Sequence, residues 1–193
     1  MASPADAFAR LLEVLDRMEI SYEVVGSVAS SAHGIPRTSL DIDLVVDIRP
    51  EQIEEFAAAL QGEFYADAGH LRESFGRGRA ANLIHLATAM KFDLFPHGTD
   101  EYSRTEFSRR GLREVRPDGI HVMECSVISP EDLVLRKLEW YRAGGEMSER
   151  QWNDLRGVCR TGGKQLDVVY LRSWSERLKL DDLLERLLAE NGL

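Results

Sequence analysis

Apolar positions along the chain follow two rhythms, one near 3.6 residues and one near 2, and the switches between them mark out the elements. Phe8, Leu11, Leu12, Leu15 and Met18 recur at helical spacing, so residues 5–19 are predicted to form an amphipathic helix. Residues 22–25 predict a short strand. Gly26-Ser27 then turns the chain, and residues 28–33 predict a short helix ended by Gly34. Pro36 imposes an extended approach to a second strand over residues 40–46. Pro50 suits the first turn of a helix that carries Ile53, Phe56, Ala57 and Leu60 on one side. A weaker helix over residues 68–74 leads into Gly76-Arg77-Gly78-Arg79, a mobile loop by composition. Residues 82–87 and 90–95 predict a hairpin around Thr88-Ala89. Residues 101–109 predict a helix, and residues 112–116 and 120–125 a second hairpin around Pro117-Asp118-Gly119.

From Ser129 onward the short rhythm disappears. Ser129-Pro130-Glu131-Asp132 combines a capping hydroxyl, a proline at the first helical position and two acids. Helices are predicted over residues 130–143, 148–160, 166–177 and 179–190, with a capping box at Ser148-Glu149-Arg150-Gln151 and a helix-ending turn at Gly162-Gly163. The expected fold is α+β. Residues 1–128 form a mixed α/β domain, and residues 129–193 a C-terminal helical domain packed on it.

The chain has 193 residues, 44% of them apolar and 30% charged, enough to bury a core in a soluble protein. No apolar run approaches the roughly 18 residues of a membrane span, so no membrane partner is expected. The first ten residues have no basic region leading into an apolar segment, so no signal peptide is expected. Cys125 and Cys159 make neither a disulfide framework nor a zinc pattern, which points to the reducing cytoplasm, with Cys159 a small core residue. The five histidines show no metal-ligand spacing. Net charge of −9 argues against a broad nucleic-acid-binding surface. Residues 1–100 hold 8 basic and 16 acidic side chains, residues 101–193 hold 16 and 17. The arginines at 104, 109, 110, 113 and 116 make either a local basic patch or charges that solvate a helix and a hairpin.

Two acids interrupt the second predicted strand. Asp41 and Asp43 share one face of it while Ile42 and Leu44 share the other, and two strand rises separate the acids by roughly 6.5–7 Å. Carboxylates held that close repel unless a cation sits between them, and hard oxygen donors at this spacing suit Mg²⁺. Amides after Gly26-Ser27 could receive a phosphate. Asp93 interrupts another apolar strand, Met90-Lys91-Phe92-Asp93-Leu94-Phe95, and completes a metal-binding set if the two strands lie side by side. Bland alternatives stand beside this reading: Asp41 as a strand-end polar residue, Asp43 paired with Arg37, Asp93 exposed on an edge strand.

Gly26-Ser27, Asp41-Ile42-Asp43 and Asp93 resemble the active-site signature of the nucleotidyltransferase superfamily related to DNA polymerase beta. The segment from Gly34 through Arg37-Thr38-Ser39-Leu40 to Asp43, and Ser129-Pro130-Glu131-Asp132-Leu133 with Lys137, are most similar to the bacterial minimal and abortive-infection-type members, some of them toxins of toxin–antitoxin pairs. The resemblance implies a nucleotidyltransferase-like mixed sheet flanked by helices and followed by a C-terminal helical bundle. It implies an enzyme moving a nucleoside monophosphate from a nucleoside triphosphate such as ATP to an acceptor hydroxyl, with two Mg²⁺ ions for which Mn²⁺ can substitute. Asp41, Asp43 and Asp93 would be its catalytic metal ligands, Asp93 also drawing the acceptor's proton, and Gly26 and Ser27 would touch phosphate.

The chain departs from that pattern in one respect. Many minimal members carry an arginine soon after the Gly-Ser pair, and here Val28-Ala29-Ser30-Ser31-Ala32-His33 offers none. Arg37 and Lys137 are then the candidate nucleotide-binding cations, with Arg77 and Arg79 behind them; Lys137 reads equally as a snorkelling surface lysine. Trp140, Tyr141, Trp152 and Trp174 are expected in helix–helix contacts rather than against a base. RNA ends, protein hydroxyls and small molecules such as aminoglycosides all suit as acceptors, and a cognate antitoxin is a further expected partner. The competing reading is a catalytically decayed module that binds nucleotide or a partner protein.

Overall fold

The computed structural model describes every residue but Met1, Thr38 and Leu40, so Thr38 of the expected lead-in and the expected strand start at Leu40 lie outside the described residues. Helix α1 (Pro4–Arg17) opens on a capping box between Ser3 and Asp6 and buries Phe8, Leu11 and Leu15. Strand β1 (Tyr22–Val24), helix α2 (Gly26–His33) and strand β2 (Asp41–Val46) follow. A 3₁₀ turn at Pro50–Gln52 leads into α3 (Ile53–Ala59), then β3 (Phe64–Tyr65), α4 (Ala68–Gly76), β4 (Ala81–His85) and β5 (Lys91–Pro96). Helix α5 (Glu101–Ser108) precedes the hairpin of β6 (Gly111–Val115) and β7 (Met123–Val127). Helices α6 (Pro130–Ala143), α7 (Glu149–Gly162), α8 (Val168–Leu178) and α9 (Asp181–Asn191) complete the chain.

Among the described residues the strands form one mixed sheet in the order β3-β4-β5-β2-β1-β7-β6, with β2 parallel to β5 and β1 parallel to β7. Strict alternation along β2 and β5 gives the sheet two unlike faces. Ile42, Leu44, Val46, Phe92 and Leu94 are buried on one, where Phe8 of α1 stacks on Phe92 at 6.2 Å between ring centres. Asp41, Asp43, Val45, Lys91, Asp93 and Phe95 point to the other. Helices α5 and α6 cover only its Val45–Phe95 end, through Glu106, Leu133 and Trp140.

The structure shifts three sequence expectations. The Gly26-Ser27 pair is not a turn ahead of a helix but the first turn of α2 itself. The glycine–arginine stretch after residue 75 is partly helical: Gly76 ends α4, and the Arg79 amide bonds back to the Ser74 carbonyl at 2.9 Å. Trp140 is not packed away between helices; it keeps 37% of its surface exposed. Among the described residues no helix is long and apolar enough to cross a membrane.

Candidate active site

The site begins where β1 gives way to α2. Gly26 has φ +62°, and a Cβ there would overlap the Asp43 carboxylate, so backbone conformation and space both demand glycine. No side chain caps α2 and no acid lies in its first turn, which leaves its leading amides free of an internal acceptor. One of them, the Ser27 N–H, faces Asp43 and favours its ionised form. The Ser27 hydroxyl donates to Ser39 Oγ at 2.6 Å, and Ser39 Oγ donates to Asp41 Oδ1 at 2.9 Å. A hydroxyl relay thus ties the start of α2 to the first acid of β2.

The parallel register places Asp43 beside Asp93, with Asp41 one pleat away on the same face. The edge-strand alternative for Asp93 is therefore corrected, because β5 lies between β4 and β2. Burial, reinforced by the charges of Asp41 and Asp93, pushes the Asp43 carboxyl up to about 6. Lys91 is the cation among them. Its Nζ lies 2.7 Å from Asp93 Oδ2 and 4.0 Å from Asp41 Oδ2, and the hydrogen bond to Asp93 raises its pKa. Asp93 Oδ1 accepts from Asn82 Nδ2. The donor set of three carboxylates on one face, short of positive charge, fits a hard divalent cation in kind. Among the described residues, though, no three carboxylate, imidazole or thiol groups already stand together as a metal cage.

The two sequence-predicted cations are placed differently from the acids. Arg37 does not pair with Asp43; its guanidinium grips both oxygens of Asp154 at 3.0 Å. Lys137 does not snorkel. It is 4% exposed and donates to Asp154 Oδ2 at 2.9 Å. Burial lowers its pKa, with Asp154 and Asp43 among the opposing charges. Desolvation of Asp154 is outweighed by these two cations, which hold its carboxyl below the ordinary range. Sequence reasoning missed Asp154, Lys91 and Asn82. Lys91 had a readable signal, two residues before Asp93 on the same strand face. Asp154 had none, since its partners lie 117 and 17 residues away.

Beyond Gly26 a pocket of about 210 Å³ runs between the sheet and α5–α6. Val25, Val45, Phe95 and Trp140 line it, and the Phe95 and Trp140 rings form a tilted pair with 6.4 Å between their centres. Arg136 closes the far end, its Nε 2.9 Å from both oxygens of Glu106. Close by on β1, beside Val45, Glu23 is fully buried with neither carboxylate oxygen hydrogen-bonded. Desolvation, with Glu106 and Asp132 nearby, pushes its carboxyl up to about 8.

No protein-family model matches the sequence, and no curated protein is similar to it at a meaningful level. Solved structures are. The solution structure of the antibiotic-resistance factor ANT(2'')-Ia superimposes with a TM-score of 0.54 at 15% identity, over 93% of this chain and 95% of that one. The crystal structure of ANT(2'')-Ia in complex with adenylyl-2''-tobramycin gives 0.54 at 17% identity, over 89% and 96%. Identity this low speaks to architecture alone, and the architecture is that of a nucleotidyltransferase-like fold.

Proposed function

We propose that the protein transfers a nucleoside monophosphate from a nucleoside triphosphate to the hydroxyl of a small, hydroxylated, cationic acceptor. The observation that carries this reading is the register of β2 with β5, which sets Asp41, Asp43 and Asp93 on one face against the first turn of α2. The uncapped first turn of α2 receives the phosphates, where the helix dipole favours negative charge. The pocket that Phe95 and Trp140 line takes the base, whose flat face can stack on an exposed aromatic ring. Asp41, Asp43 and Asp93 hold Mg²⁺, which when bound neutralises the phosphate charge that builds during displacement. Asp93 borders Asn82 and the open part of the sheet, where an acceptor can approach, and takes the hydroxyl proton. Catalysis is then chiefly positioning and charge stabilisation.

Charge supports the choice of acceptor: the half of the chain that bears the three aspartates holds twice as many acids as bases. A cation is drawn to that surface and a polyanion repelled. A similar architecture points the same way, since ANT(2'')-Ia is seen with adenylyl-2''-tobramycin; fold alone does not fix substrate. A second reading, nucleotide binding without turnover, is favoured by the engagement of both Arg37 and Lys137 with Asp154.

The test is incubation of the protein with Mg²⁺, α-labelled triphosphate and separate pools of aminoglycosides, RNA and protein. Label is expected in the amino sugars, with transfer reduced about 10³-fold or more by Asp43→Asn, the loss of several kcal/mol of charge stabilisation. Label in RNA or protein replaces the acceptor assignment, and a toxin role then becomes the better account. Tight triphosphate binding by calorimetry with no transfer to any pool establishes the second reading.

A further inference from the structure

We infer that Lys91 is the built-in counter-ion of the carboxylate row, and that a divalent cation enters the row by displacing its ammonium group. The inference rests on the metal reading proposed above. Lys91 opens β5 and points to the same face as Asp93, two residues on. Its Nζ bonds Asp93 Oδ2 at 2.7 Å and reaches Asp41 Oδ2 at 4.0 Å. Asn82 occupies the other oxygen of Asp93. The third carboxylate is therefore already taken up by protein groups.

One unit of positive charge against three carboxylates leaves the row negative, so a doubly charged ion is the better partner. Two cations cannot share one small space, because like charges a few ångströms apart repel by several kcal/mol wherever water is scarce. Lysine is suited to yield. Its side chain is 43% exposed, and across the strand pair its neighbour Ile84 is 40% exposed, so the ammonium has open solvent to withdraw into. The metal-free protein is spared bare repulsion, and the same contact sets a threshold that the metal must exceed.

Binding of Mn²⁺, followed by electron paramagnetic resonance, tests this in the wild type and in Lys91→Met and Lys91→Gln. Both variants are expected to bind Mn²⁺ about tenfold or more tightly, the gain from removing a competing charge. Their metal-free forms are expected to melt below the wild type, with Mn²⁺ restoring the difference. Lys91 is one of only four lysines, so its ε-carbon resonance can also be followed in the unaltered protein, where Mg²⁺ is expected to shift it. Equal or weaker Mn²⁺ binding in both variants, or an unmoved resonance, overturns the counter-ion role, while wild-type binding that Asp41→Asn abolishes upholds the metal site. No binding to any of the three proteins overturns both.

Discussion

Two clusters of acids in this molecule are built on opposite principles. Around Asp132 the carboxylates of Asp132, Glu131 and Glu106 are each answered by an arginine, while Glu23 nearby goes without a hydrogen bond. Arg109 Nε meets Asp132 Oδ2 and its Nη2 meets Glu131, both at 3.0 Å, while Ser129 and Tyr170 donate to Asp132 at 2.5 and 2.6 Å. Arg136 neutralises Glu106 beside them and lies over the Tyr102 ring, 4.5 Å from its centre. Around Asp43, by contrast, three carboxylates share one lysine, and the Asp43 carboxyl titrates far above its ordinary range because burial and like charges both disfavour ionisation. Natural folds satisfy buried charge where it serves structure. A cluster left short of counter-charge stores a cost that a ligand can relieve, which is why the second cluster, and not the better-bonded first, reads as the site of chemistry.

Substitutions at the two clusters should move stability in opposite directions. The largest effect is expected at the satisfied one. Asp132→Ala strands Arg109 and empties the acceptor position of Tyr170 and Ser129, and should cost about 3–5 kcal/mol in urea unfolding. Asp43→Asn should stabilise the metal-free protein by about 1–3 kcal/mol at pH 7, even as it abolishes transfer. The sign follows from the raised folded-state pKa. The native carboxyl keeps its proton up to about pH 6, whereas the unfolded chain releases it near 3.8. The wild type thus loses stability as pH rises through that window, and the advantage of asparagine should fade when melting is repeated towards pH 4. A smaller change is expected in the adjoining pocket. Trp140→Ala removes a stacking ring and should raise the KM for triphosphate about tenfold with little change in kcat, read from initial rates over a nucleotide titration.

How far the sequence foretold this depends on the range of the interaction. Alternation within residues 41–46 and 91–96 fixed which side of each strand the acids occupy, because that is a property of the backbone pleat. Helix starts at Ser129 and Ser148 were readable because a capping hydroxyl acts within three residues. The length of α2 was misjudged by two residues: a glycine at positive φ reads locally as a turn, and only the approach of Asp43 explains why the helix begins on it. The exposure of Trp140 was misread, and Lys137, left open between a nucleotide-binding cation and a snorkelling lysine, is buried. Helical period places residues 137 and 140 on a face, but the depth of that face is set by how α6 lies across the sheet. Asp154 was invisible for the same reason, its role existing only once α7 meets the segment before β2.

That last contact has a mechanical consequence. Asp154 grips Arg37 from the stretch before β2 and Lys137 from α6 with one carboxylate. The helical layer is therefore riveted, not hinged, to the strand that bears Asp41 and Asp43. The Lys137 contact ties α6 to α7 within the helical layer, and peeling that layer back would break both prongs of the Arg37 contact together, so opening the cleft from this side carries the cost of stranding a half-buried guanidinium.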